Sequence, residues 1–160
     1  MPTETTVHGA SSSDHRTPAE QEYDFSEQVG HLLRKAYQRH TSIFQRLSCD
    51  KQLTAIQFVT LCTIMERGPS SLTEIVHATA IDPATIRGVI KRLKAREWVT
   101  LTTDPGDQRK VMVVITEAGE SLVETMVPIA KQISDQTMNN LNPAERIALL
   151  HLLEKMNADG

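Results

Sequence analysis

The chain has 160 residues, of which 39% are apolar and only 4% aromatic, and its formal charge is −3. That length suits one domain, or one globular body with long helical extensions. A core drawn mainly from Leu, Ile, Val, Met and Ala favours helices with modest strand content, and no apolar run nears the roughly 20 residues that span a bilayer.

Cys49 and Cys62 stand 13 positions apart. They form no CxxC, disulfide framework or zinc-ribbon spacing, so a reducing, cytoplasmic setting is expected. The opening stretch "MPTETTVHGASSSDHRTPAEQ" lacks a basic-then-apolar leader pattern. It is rich in Ser, Thr and Pro, and residues 1–21 are expected to be a disordered tail.

A first long helix is expected from about Phe25 to Leu47, because Val29, Leu32, Leu33, Ala36, His40, Ile43, Phe44 and Leu47 recur at helical spacing. A second opens at Thr54, where Gln57 three residues later completes a capping box, and stops at Gly68-Pro69. A short third helix repeats the box with Ser71 and Glu74 and ends near Thr79. The fourth begins at Asp82-Pro83, an N-cap followed by the residue best tolerated at the first helical position, and runs to about Arg96.

Two β-branched runs, "WVTLTT" and "VMVVI", flank the turn "DPGDQRK" and predict a β-hairpin. A fifth helix opens at Thr116, with Pro128 inside it expected to kink it. The last begins at Asn142-Pro143 and is expected to pack through Leu149, Leu150, Leu152, Leu153 and Met156.

Charge is unevenly placed. Asp82 to Lys110 holds seven basic and four acidic residues, a local +3 in a chain of −3. On the fourth helix Ile86, Val89, Ile90 and Leu93 share one side and face a core. The other side presents Ala84, Gly88, Lys91 and Ala95, bordered by Thr85, Arg87 and Arg92, with no acid between Pro83 and Arg96. Small residues admit close approach, and Gly88 costs roughly 1 kcal/mol of helix propensity relative to Ala. The major groove of DNA accepts such a helix, and its base edges are read by Arg and Thr. A solvated helix with a basic bias is the alternative. The surrounding order, a short helix, a tight connection, a basic helix and a hairpin bearing Arg109 and Lys110, makes a winged helix-turn-helix.

At these residues the sequence resembles the multiple-antibiotic-resistance regulator (MarR) family. The family wing, D-x-R-D-x-R followed by an apolar strand and "LT..G", is met here by Asp104, Asp107 and Arg109 and then by "VMVVITEAG", with Gly106 in place of the first Arg. The resemblance covers about residues 25–157. It implies a mainly α fold over 22–160: a winged DNA-binding lobe over 54–115, and dimerisation helices over 25–48 and 116–157.

The partners implied are a second copy of the chain and a pseudopalindromic duplex. Carried over by position, Thr85 and Arg87 read bases, with Pro83, Ala84, Gly88, Lys91 and Arg92 on the same face. Arg109 enters the minor groove, Asp107 orients it by a salt bridge, and Ser71 caps the third helix and donates to phosphate. The segments "QVGHLLRKAYQRH" and "ATAIDPATIRGVIKRLKAR" are similar to members controlling breakdown of aromatic or heteroaromatic acids such as nicotinate. A small aromatic acid effector is therefore expected, with Arg34, Tyr37, His40 and Phe44 as pocket residues. A histidine merely satisfied at a dimer interface is the competing reading of His40.

No metal-ligand spacing, phosphate loop, G-x-S-x-G or HExxH is present in the sequence, so neither a cofactor nor an enzyme is expected. Two alternatives remain open at this stage: a thiol-switched regulator using Cys49 or Cys62, and a winged helix that binds only proteins.

Overall fold

The computed structural model describes residues 25–158; the expected tail at 1–21 lies outside them. A 3-10 turn, Phe25–Glu27, leads into α1 (Val29–Leu47) and α2 (Ala55–Arg67). Then come β1 (Ser70–Ser71), α3 (Leu72–Thr79), α4 (Pro83–Ala95), β2 (Val99–Thr103), β3 (Val111–Ile115), α5 (Glu117–Thr137) and α6 (Pro143–Asn157).

Most boundaries follow from local hydrogen bonding. Capping boxes open α2 (Thr54 with Gln57), α3 (Ser71 with Glu74) and α6 (Asn142 with Glu145), each satisfying two amides that a helix start leaves free. Asp82 caps α4 by accepting from the Thr85 amide at 2.9 Å. Gly68 ends α2 at φ +78°, a conformation that suits glycine. α5 runs as one helix through Pro128.

The sheet has the order β1-β3-β2, all antiparallel. The hairpin pairs Val99 with Ile115 and Thr103 with Val111. β1 was not anticipated. It is two serines long, with no periodic signal, and exists because β3 offers a free edge: Ser70 pairs with Val113 and Ser71 with Met112.

The core lies where α2, α3, α4 and the sheet meet the middle of α5. Leu53, Leu61, Ile64, Ile75, Ile86, Leu93, Met126 and Ile133 are all but inaccessible there. Gly119 lets α5 seat against the sheet, since a Cβ on it would stand 2.2 Å from the Trp98 carbonyl oxygen.

The outer helices leave apolar sides open. α6 buries no residue within the chain, and Leu150, Leu152 and Met156 are more than half exposed. Val29, Leu32, Leu33 and Tyr37 of α1 are likewise open. The apolar stripes are present on both helices, but no other described residue covers them.

Candidate nucleic-acid interface

α3, the turn through Ala80–Asp82, and α4 pack as two helices on one core. Ala80 makes that turn in the left-handed conformation, φ +53°. Ile86, Val89, Ile90 and Leu93 of α4 are buried, as the helical wheel requires. Pro83, Ala84, Arg87, Lys91 and Arg92 are exposed, and Thr85 and Gly88 are half-buried between them. The predicted face is therefore assembled and open. Arg92 folds back along it, with guanidinium nitrogens 3.6 and 3.8 Å from where a Gly88 Cβ would stand. Hydrogen bonds from the side chain and then the backbone of Thr85 hold the Asp82 carboxyl below the usual range, so the Thr85 hydroxyl is partly committed to the cap.

The wing is built by its acids. Asp104 Oδ1 accepts from the amides of Gly106 (2.7 Å) and Asp107 (3.1 Å). Asp107 Oδ1 accepts from the Arg109 amide at 3.0 Å. The expected salt bridge between Asp107 and the Arg109 guanidinium is not formed. An Asp two residues before an amide closes an Asx turn, whereas an exposed ion pair there is worth little. Arg109 is left exposed, with no ion-pair partner among the described residues.

Ser71 caps α3 as expected, but its hydroxyl donates to Glu74 Oε2 at 2.6 Å and the residue is only 8% exposed. It offers no free donor to a phosphate in this state. The Glu74 carboxyl is held down to about 2 by the Ser71 hydroxyl first, then the Ser71 amide, with Lys110 adding to both. Lys110 Nζ reaches Glu74 Oε1 at 3.4 Å and so ties the wing base to α3.

Two further cations were legible only as part of the basic cluster. Lys94 joins Arg87 and Lys91 around a groove of about 410 Å³ floored by Leu101 and Val111, between α4 and the wing. Arg96 faces away from that groove: it lies 4.2 Å over the Trp98 ring, donates to Gln52 Oε1 at 2.7 Å and pairs with Asp50. It anchors the C-terminal end of α4 to the loop after α1.

The predicted pocket residues separate. His40 and Phe44 share a cavity of about 170 Å³ with Phe58 and Ser134, between α1, α2 and α5. His40 and Tyr37 line a second space of about 340 Å³ toward α6. Arg34 lines neither; it is exposed and lies 3.4 Å from His31 Nδ1. Burial pushes the Cys62 thiol upward, away from thiolate, while Cys49 is exposed. Among the described residues no cluster of three His, Cys, Asp or Glu is arranged to hold a metal. No described helix is long and apolar enough to cross a membrane.

A helix-turn-helix with a basic, small-residue outer face, followed directly by a two-stranded wing, defines a winged-helix DNA-binding protein. The family model described as "MarR family" matches residues 53–111, from the start of α2 to the start of β3. The HTH-type transcriptional repressor NicR of Pseudomonas putida is 62% identical over 134 residues, covering 84% of this chain and 85% of NicR.

A solved structure of Bordetella bronchiseptica BpsR, concerned with regulation of its DNA binding by 6-hydroxynicotinic acid, superposes with a TM-score of 0.80. It is 58% identical and covers 86% of this chain and 99% of its own. A mutant MarR from E. coli complexed with operator DNA shares the fold at TM-score 0.74 and 24% identity, over 81% of this chain and 94% of its own. The chain belongs to the MarR family.

Proposed function

We propose that this protein is a homodimeric repressor that binds a pseudopalindromic duplex operator and leaves it when a small aromatic acid binds. The observation that carries the reading is the open α4 face. Arg87, Lys91 and Arg92 ring an approachable backbone at Ala84 and Gly88, with the Arg109 turn of the wing following in the same lobe. Phosphate contacts from these cations supply salt-dependent affinity, and Arg87 with Thr85 supplies base preference. The uncovered apolar sides of α1 and α6 supply the dimer contact. Dimerisation sets two α4 helices about 34 Å apart, one duplex turn, and an effector that favours another spacing releases the DNA. NicR, a repressor, and BpsR, whose DNA binding responds to 6-hydroxynicotinic acid, support both the regulatory direction and the effector class.

Fluorescence anisotropy with duplex from the protein's own upstream region tests this. Affinity should fall steeply between about 50 and 200 mM salt. Arg87→Ala should cost roughly 1–3 kcal/mol and relax preference at one position per half-site, while Arg109→Ala weakens binding more evenly across sequences. Addition of 6-hydroxynicotinic acid should release the duplex. Salt-insensitive binding, or two variants indistinguishable from wild type, would sink the docking scheme.

A further inference from the structure

The C-terminal end of α4 is attached to the rest of the body at two points. Arg96 closes the helix, its amide donating to the Arg92 and Leu93 carbonyls at 3.2 Å each. Glu97 then turns the chain at φ +58°, a conformation uncommon outside glycine. The Glu97 carbonyl accepts from the Thr116 hydroxyl at 2.6 Å, and the Trp98 carbonyl accepts from the Thr116 amide at 3.0 Å. Thr116 is the N-cap of α5, so this turn fixes the end of α4 to the start of α5.

Arg96 makes the second attachment, to the loop between α1 and α2. Its guanidinium lies 4.2 Å over the Trp98 ring, donates to Gln52 Oε1 at 2.7 Å and pairs with Asp50 Oδ2. An exposed pair alone is worth little, but a planar cation stacked on a ring and bonded to two acceptors is held in one orientation. The loop it grips is itself braced. Asp50 Oδ1 accepts from the Gln52 amide at 2.8 Å. The Ser48 hydroxyl donates to the Asp50 carbonyl at 2.8 Å and lies 3.7 Å from Met126 Sδ of α5. Lys51 Nζ donates to the Arg46 carbonyl of α1 at 2.9 Å. Among the described residues, no other hydrogen bond or ion pair joins α4 or its cap to α1 or to this loop.

We propose that Arg96 is the positioning residue that sets which separation of operator half-sites the dimer accepts. α1 carries part of the dimer contact and α4 carries the contact with DNA, so the Arg96 clasp decides whether the two lobes keep a fixed spacing. Two base pairs inserted between half-sites shift one of them by about 7 Å and rotate it by about 70°. A clasped lobe cannot follow that change, and a released one follows it in part. The assignment rests on the proposed operator-binding dimer.

Footprinting on duplex from the protein's own upstream region defines the half-sites. Anisotropy with the full-length protein then compares the native spacing, the spacing lengthened by two base pairs, and one half-site alone. Wild type should prefer native to lengthened spacing by at least about 10-fold. Arg96→Met keeps an apolar stem over Trp98 and loses the guanidinium. Asp50→Asn, a milder change, keeps the oxygen for the Gln52 amide and loses the carboxylate that pairs with Arg96. Both should narrow the preference to about 3-fold or less and leave the single half-site within about 2-fold of wild type, because neither side chain stands on the face of α4 that meets the bases. A phosphate contact by Arg96 would instead weaken Arg96→Met equally on all three duplexes and lower its salt slope by about 1, while Asp50→Asn, having lost an acid, would bind no worse than wild type; that result overturns the assignment. So does an unchanged spacing preference in both variants, or a lowered melting temperature with equal weakening on every duplex. Wild type that binds all spacings alike overturns this assignment and leaves DNA binding standing. Wild type that binds no duplex overturns both.

Discussion

Replacing Gly88 by Ala separates folding from docking at a single atom. Glycine inside a helix is less favourable than alanine by roughly 0.8–1.0 kcal/mol. The added Cβ would meet nothing closer than the Arg92 guanidinium at 3.6 Å, an ordinary contact with a movable side chain. Nothing in the chain's own packing requires glycine here, so Gly88→Ala should stabilise the free protein by up to about 1 kcal/mol, a rise of roughly 2–4 °C in Tm for a domain of this size. The same methyl stands in the middle of the face assigned to the duplex. Lifting the helix backbone off the base edges should weaken operator binding by about 10-fold, or ~1.4 kcal/mol. Denaturation followed by circular dichroism and operator anisotropy on one preparation read both quantities. A stabilised variant with unchanged operator affinity would refute the assignment of this face, because the propensity gain would prove the substitution accommodated and the docking penalty absent.

Gly119→Ala should behave in the opposite way. Its Cβ would fall 2.2 Å from the Trp98 carbonyl, the acceptor of the Thr116 amide. Relief requires α5 to lift off the sheet, at a cost of about 3–5 kcal/mol from overpacking together with a lost hydrogen bond and cap; a melting curve unchanged from wild type would contradict the packing described. Glu74 gives a pH signature. Its pKa is lowered to about 2 from 4.5, so its contribution is fully present above about pH 4.5 and is lost as pH falls toward 2. Glu74→Gln, which keeps an oxygen for the cap, should show a shallower loss of stability across that window in acid titrations. Equal slopes would mean that the carboxylate gains nothing from Ser71 and Lys110.

The elements of this protein were legible because their signals are local. Thr54 with Gln57, Ser71 with Glu74, Asp82 with Thr85 and Asn142 with Glu145 each close a hydrogen-bonded start within three residues, whatever the rest of the chain does. The outward face of α4 was legible for the same reason, since helical geometry alone sorts Ile86, Val89, Ile90 and Leu93 from Arg87, Lys91 and Arg92. Tertiary packing decided what those side chains do. It recruited two serines as a strand on the free edge of β3, and laid Arg96 over Trp98 against the loop after α1. His40 and Thr137 lie 97 positions apart, and only the packing of α1 along α5 brings them to 3.1 Å. Sequence spacing constrains partners within a turn of helix; beyond that, a partner is chosen by how whole surfaces fit together.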